Sequence, residues 1–169
     1  EASDAALSIE DVRSFGMFMD LQSNRYRGLP HVRFLNCLDG TLRQTWQFKQ
    51  KVPPDTIVSS SSRTRSLQHL YPEGWEDVPD GYQEICYNEL PTKMNWQYFK
   101  AGIDLAEMRF TSLQFNDRKF DPAGLGVMRL DPWANLECML NIGFFVETDT
   151  DKRAFFFVDS VLLSGDFCC

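Results

Sequence analysis

Short runs of alternating apolar and polar residues, divided by turn residues, constrain the fold of this 169-residue chain more than any other feature. The clearest run covers 96–120. Within 96–103, even-numbered and odd-numbered residues fall on opposite faces of an extended chain, because successive side chains of a strand alternate in direction. A turn at 104–107 and the polar pair Asn116-Asp117 divide this stretch into strands. The pattern predicts adjacent antiparallel strands joined by tight turns.

The same signals recur along the chain. The pair Asp39-Gly40 is typical of a tight hairpin turn, which predicts a hairpin between strands at 31–37 and 42–48. Ser8 and Asp11 fit the start of a short helix, although the same residues also fit a loop. Further strands are predicted at 15–21, 82–88, 136–146 and 154–163, the last of them buried on both faces.

About nine or ten short strands with regular turn signals favour a sandwich or a barrel. We therefore predict an all-β fold, a two-sheet antiparallel β-sandwich. The length suits one domain over residues 1–169. Residues 52–81 contain four consecutive serines and several prolines, which predicts a long irregular loop that is functional or mobile.

Charge and cysteine content exclude several classes of protein. The formal net charge is −7 and the sequence pI is about 4.8, so we expect neither a nucleic-acid partner nor an anionic membrane surface. No apolar run of about 18 residues or signal peptide is visible, and the chain lacks an initiator Met. We expect a soluble mature form or a fragment of a longer chain. The five cysteines form no C-x-x-C pair, which disfavours zinc and disulfides and weakly favours a cytoplasmic location.

Two motifs carry a resemblance to a known superfamily. Residues 157–162 read F-V-D-S-V-L, an apolar strand with a central Asp followed by Val, and the polar hairpin Asn116-Asp117 precedes it. Together they resemble the closing half of concanavalin A-like lectins and glucanases and of jelly-roll carbohydrate-binding modules. This resemblance covers residues 82–164, and the chain is also similar to uncharacterised bacterial domains with this organisation. The resemblance implies a jelly-roll sandwich and a bacterial source, but fold analogy alone does not assign a function.

The same superfamily contains laminarinase-like glycoside hydrolases with the motif E-x-D-x-x-E, whose outer carboxylates are the nucleophile and the general acid/base. Glu84 and Glu89 match those outer positions, whereas Cys86 replaces the middle Asp. A retaining pair needs carboxylates about 5–5.5 Å apart. Five residues along a regular strand span about 17 Å and reverse the face. Two solvent-facing glutamates are therefore the favoured interpretation, and catalysis is the alternative.

Aromatic residues in loop-like contexts are the candidates for ligand contact, because sugars stack their apolar faces on flat rings. The predicted ligand-binding residues are Tyr71, Trp75, Tyr82, Trp133 and, as a hydrogen-bond donor, Arg43. Trp46 and Trp96 lie in strand-like runs, where a place in the core is the favoured interpretation.

Acidic residues offer a possible structural calcium site, since jelly-roll modules often hold calcium through oxygen ligands. The candidates are Asp159 in the closing strand and Glu147, Asp149 and Asp151 in an acidic turn. A solvated hairpin tip and a buried, hydrogen-bonded carboxylate are the favoured alternatives. No cofactor is required by the sequence.

These observations favour a non-catalytic carbohydrate-binding or accessory domain whose partner is an oligosaccharide or polysaccharide. A glycoside hydrolase that uses Glu84 and Glu89 is the alternative enzyme, although the sequence leans against catalysis. A structural or assembly domain without a small-molecule ligand is the third hypothesis, and it predicts an exposed apolar patch or an unpaired edge strand.

Overall fold

The computed structural model describes residues 7–51, 73–85 and 95–165, and these residues form a β-sandwich of two antiparallel sheets. The predicted all-β fold class is therefore confirmed. The strands are β1 (Val12–Gln22), β2 (Arg27–Leu29), β3 (His31–Leu38), β4 (Thr41–Lys49), β5 (Trp75–Tyr82), β6 (Phe99–Asp104), β7 (Arg109–Phe115), β8 (Arg118–Phe120), β9 (Met128–Leu130) and β10 (Met139–Thr148).

The larger sheet has seven strands in the order β5-β4-β3-β1-β2-β9, and β10 pairs with β1 along the edge opposite to β3. The smaller sheet has three strands in the order β6-β7-β8. β1 is the longest strand and pairs with three neighbours. β10 pairs with nearly its whole length, β3 with its first half and β2 with its end.

The predicted tight turns are confirmed by backbone conformation. Asp39 and Gly40 have φ of 50° and 73° between β3 and β4, and Asn116 has φ of 54° between β7 and β8. These left-handed conformations suit Gly, Asn and Asp best, which explains the turn chemistry of the sequence. Between β6 and β7, the Asp104 side chain accepts hydrogen bonds from the backbone N–H groups of Ala106 and Glu107.

The core lies between the two sheets and is centred on Trp46 of β4. Its ring contacts five other rings, from both sheets: Phe15, Phe34, Phe99, Phe115 and Phe120. The Trp46 indole N–H donates to the Gln83 side chain at 3.0 Å, so the polar atom of this buried residue is also satisfied. The predicted core position of Trp46 is thus confirmed.

The only helix in the described residues is a three-residue 3₁₀ turn, Ile9–Asp11, which is far too short to cross a membrane. Ser8 precedes it and forms a capping box with Asp11. The Lys152 Nζ also donates to the Asp11 carboxylate at 2.6 Å and forms an ion pair with it. This hydrogen bond is the main cause that lowers the pKa of Asp11 to about 2. The pair ties the start of β1 to the chain that follows β10.

Three predicted elements are wrong in place or extent. Residues 75–82 form β5 rather than part of an irregular loop, because they pair with β4. Trp96 lies before β6 and is 61% exposed, so it is not in the core. Residues 154–163 are not a buried strand: they lie outside the strands, and Leu162 is 93% exposed. Both edges of β1 are occupied by β3 and β10, which leaves no place there for a closing strand.

We predict that Trp46→Ala costs about 3–5 kcal/mol of unfolding free energy, because it removes the ring that joins the two sheets. Urea denaturation followed by far-UV circular dichroism measures this loss. The matched control is Trp96→Ala, an exposed tryptophan whose replacement we expect to change stability by about 0.5 kcal/mol or less. Equal effects of the two substitutions would contradict the central role of Trp46.

Candidate functional site

The face of the seven-stranded sheet that points away from the small sheet carries the main candidate residues. We call it the outer face. Strand alternation assigns side chains to it: Val32 and Phe34 of β3 pack in the core, so His31 and Arg33 point outward. The cross-strand partners of these residues, such as Phe18 on β1, share that face.

Trp133 is the centre of an exposed site at one end of the outer face, in a loop that is held by hydrogen bonds. It follows β9 in a loop and is 47% exposed, as the sequence predicted. Gln22, which is buried at the end of β1, holds the loop through three hydrogen bonds. Its amide nitrogen donates to the carbonyl oxygens of Trp133 and Leu136, and its amide oxygen accepts the backbone N–H of Trp133. A buried amide therefore fixes an exposed tryptophan.

Arg27 and Asp20 form a bidentate ion pair beside this ring. The Arg27 Nε and NH2 atoms donate to the two oxygens of Asp20 at 2.9 and 2.7 Å. The guanidinium carbon lies 5.1 Å from the centroid of the Trp133 ring, within the range of a cation–π contact. Arg27 is the cross-strand partner of Gln22, so the sheet register brings these groups together. We call Asp20, Gln22, Arg27 and Trp133 the Trp133 platform.

Trp75 occupies a different part of the outer face, and its environment corrects the sequence prediction. It begins β5 as the cross-strand partner of Lys49. Its ring lies 4.2 Å from the Arg33 guanidinium carbon and 4.6 Å from Lys49 Nζ, and the His31 ring meets it edge-on at 4.8 Å. Trp75 is therefore packed among strand side chains rather than presented on a loop.

A row of polar side chains crosses the outer face next to Trp75. Asp77, Gln47 and Arg33 are successive cross-strand partners on β5, β4 and β3. The Arg33 Nε donates to the Gln47 amide oxygen at 2.8 Å, and the Gln47 amide nitrogen donates to Asp77 at 2.7 Å. Arg33 NH1 also lies 3.9 Å from Glu147, which accepts the Ser14 hydroxyl. This row satisfies polar groups that the sheet buries.

Burial changes the protonation chemistry of the two cations. Desolvation is the main cause that lowers the pKa of Lys49 to about 8, and the nearby positive charge of Arg33 adds to it. Desolvation likewise lowers the pKa of Arg33 to about 10, against a partly compensating attraction by Glu147. The folded state therefore disfavours the charged form of Lys49 relative to the unfolded chain.

We predict that the stability of the protein rises as pH increases from about 8 towards 10.5, the folded and ordinary pKa values of Lys49. In this window the unfolded chain keeps the Lys49 proton that the folded chain has lost, so rising pH favours the folded state. Lys49→Met removes this group and should flatten the rise. Urea denaturation at pH 7, 8, 9 and 10 measures it, with the exposed-lysine variant Lys100→Met as the control that keeps the rise.

The structure does not assemble the other predicted ligand residues into one site. Tyr82 ends β5, is exposed, and donates its hydroxyl to Glu84 at 2.9 Å. Arg43 is exposed on β4 near its hairpin. Tyr71 and Glu89 lie outside the described residues. Glu84 follows β5 rather than lying within a strand, so the predicted strand at 82–88 does not extend through it.

The predicted calcium ligands have other partners. Glu147 faces Arg33, and Asp149 forms an ion pair with Arg13 at 3.1 Å. Asp159 is exposed and accepts the hydroxyl of the next residue, Ser160, while Asp151 is an exposed residue beyond β10. Over the residues that the structure describes, no group of three or more His, Cys, Asp or Glu side chains is placed to hold a metal ion.

Sequence reasoning missed the polar residues that support both tryptophans: Asp20, Gln22 and Arg27 at the platform, and His31, Arg33 and Lys49 beside Trp75. A signal was present, because Arg33 lies between Val32 and Phe34 in a strand-like run and Gln22 ends another. A charged residue within a buried strand needs a partner on its own face. The partners come from strands that are distant in sequence, so their identity was not visible.

Fold and site together define an all-β sandwich protein with a fixed aromatic platform on the outer face of its larger sheet. The chain belongs to the family described as a domain of unknown function, DUF6772, whose family model matches residues 1–167. No curated protein and no solved structure was found to match it.

Proposed function

We propose that this protein is a non-catalytic carbohydrate-binding or accessory domain of jelly-roll, concanavalin A-like type, and that the Trp133 platform holds the sugar. The observation that carries the proposal is the fixed backbone of an exposed tryptophan. Gln22 holds the N–H and the carbonyl of Trp133 with its single buried amide. The core gains nothing from presenting a large ring to solvent, whereas a ligand gains a rigid surface on which to stack.

The chemistry around the ring suits a sugar. The apolar C–H face of a pyranose stacks on a flat indole, and polar groups at the ring edge orient the hydroxyls. Two of the five N–H groups of Arg27 bind Asp20, and the Arg27 side chain, which is 14% exposed, gives the ring a small polar edge. Asn141, the cross-strand partner of Asp20 on β10, adds an exposed amide to the same face.

We predict that Trp133→Ala lowers affinity for the bound glycan about 5- to 150-fold, because a stacking residue of this kind contributes about 1–3 kcal/mol. Affinity electrophoresis in gels that contain soluble plant and bacterial polysaccharides identifies the ligand, and titration calorimetry then measures the change. Leu42→Ala, an exposed apolar residue on β4, is the control that should keep wild-type affinity. Unchanged binding by the Trp133→Ala variant would remove the platform from the proposal.

Gln22 acts on the ligand only through Trp133, so its replacement tests positioning. We predict that Gln22→Ala weakens binding several-fold by freeing the loop, although every group that touches the sugar remains. Trp133→Phe, which keeps a flat ring on a fixed backbone, should retain more affinity than Trp133→Ala. If Gln22→Ala lowers the melting temperature and leaves affinity unchanged, the amide serves the fold alone.

An assembly role is the second candidate, because the structural hypothesis predicted an exposed apolar patch. Phe155 and Phe157 are 70% and 66% exposed in the segment that follows β10. Their rings contact each other at 5.7 Å but do not join the core. Light scattering across a range of protein concentrations tests this role. If the protein is a monomer at all concentrations and binds glycans, the assembly role is rejected and carbohydrate binding is retained.

A further inference from the structure

A second group of exposed aromatic residues lies at another part of the sandwich. Tyr82, Trp96 and Tyr98 are 53%, 61% and 54% exposed. The sequence pattern placed Trp96 and Tyr98 within a strand, but β6 begins only at Phe99. We call Tyr82, Trp96 and Tyr98 the Tyr98 surface. It shares no residue with the Trp133 platform.

The turn between β7 and β8 fixes Tyr98 in the same manner as Gln22 fixes Trp133. The Asn116 side-chain oxygen accepts the backbone N–H of Tyr98 at 2.8 Å, and the Asn116 backbone N–H donates to the Tyr98 carbonyl at 2.7 Å. The Asn116 amide nitrogen also donates to the side chain of Gln97. One asparagine therefore holds the chain segment that carries the exposed ring.

The same turn fixes Tyr82. Arg118, two residues after Asn116, donates to the backbone carbonyls of Tyr82 and Asp80, both at 2.6 Å. Its guanidinium carbon lies 5.2 Å from the centroid of the Phe120 ring, which holds it in place. Asn116 of the turn and Arg118 at the start of β8 thus bind the backbones of both tyrosines, and the Tyr82 hydroxyl, bonded to Glu84, supplies a polar edge.

The strand register shows that the two aromatic sites are far apart. Tyr82 pairs with Thr45, Thr45 with Leu35, and Leu35 with Ser14 on β1. The platform lies at Gln22, eight residues further along β1, which is about 26 Å. Three strand-to-strand steps separate β5 from β1, about 14 Å more at right angles. A separation of about 30 Å prevents a short oligosaccharide from reaching both sites.

The charges favour a neutral ligand at both places. The guanidinium of Arg27 is paired with the carboxylate of Asp20. At the Tyr98 surface the positive charge of Arg118, bonded to the Tyr82 carbonyl, is accompanied by the negative charge of Glu84, bonded to the Tyr82 hydroxyl. The whole chain carries a formal charge of −7, which repels acidic polysaccharides. Stacking and hydrogen bonding to hydroxyl groups are the interactions that remain.

We propose that the Tyr98 surface is a second saccharide-binding site, so that the domain is bivalent and cross-links neutral polysaccharide chains. The ligand class rests on the proposed function, but the second site rests on its own geometry. Two separated sites that bind one polymer raise its apparent affinity through effective concentration. A bivalent domain also joins neighbouring chains, which a single platform does not.

Titration calorimetry of the full chain with cellotetraose, laminaritetraose, xylotetraose and mannotetraose tests this. We expect two tetrasaccharides per wild-type chain. Trp133→Ala and the double variant Trp96→Ala/Tyr98→Ala should each bind one, and the combined triple variant none. Affinity for the corresponding polysaccharide should fall by about a hundredfold when either site is removed. Tyr98→Phe keeps the ring and should keep two bound ligands. Melting temperatures near that of the wild type show that the variants remain folded.

The alternative outcomes separate the two proposals. Suppose that the wild-type chain binds one ligand, that Trp133→Ala abolishes this binding and that Trp96→Ala/Tyr98→Ala keeps it. This result overturns the second site and leaves the proposed function intact. One ligand that only the Trp96→Ala/Tyr98→Ala variant abolishes overturns the platform and the bivalence together. If no tetrasaccharide and no neutral polysaccharide binds the wild-type chain, both proposals fail.

Discussion

The packing of Trp46 against rings from both sheets is the contact on which the rest of this structure depends. The two sheets are separate hydrogen-bonded units. Backbone hydrogen bonds join Phe110 to Leu125 and Met108 to Val127, just before β9, and the rings packed between the sheets add the apolar contact. Trp46 reaches Phe15 and Phe34 of its own sheet and Phe99, Phe115 and Phe120 of the other. Dispersion and apolar burial at such a junction are additive over many atoms. The position of β5, and with it Trp75 and Tyr82, follows from its pairing with the strand that carries Trp46.

Because the core uses one face of the large sheet, the polar side chains that are buried on the opposite face need partners of their own. These partners form a row of planar groups that runs from Asp77 through Gln47 and Arg33 to Glu147. Trp75 is part of this arrangement, and its ring contacts two cations. Trp133 differs from it: its ring is exposed while its backbone is fixed.

The strand pattern was predictable where local chemistry decided it. Asp39, Gly40 and Asn116 have left-handed backbone in the turns that Asp39-Gly40 and Asn116-Asp117 predicted, and both hairpins are present. The segment 154–163 shows the limit of this reasoning, because its apolar run indicated a buried strand, but it pairs with no strand in the described residues and is largely exposed. Alternation describes what a segment is able to form. It does not describe which neighbour is available to pair with it.

The sequence by itself determined the all-β class and the positions of the tight turns. Both follow from local properties: side-chain period and turn residues that adopt left-handed backbone. The strand pattern assigned both Trp46 and Trp96 to the core, and the tertiary structure separated the buried ring from the exposed one. The tertiary structure alone decided which polar residues meet. Gln22 binds Trp133, which is 111 residues away in the sequence. Asn116 binds Tyr98, which is 18 residues away and lies beside it where β6 and β7 pair. Such contacts depend on strand order and register, which involve residues distant in the chain and leave no local pattern.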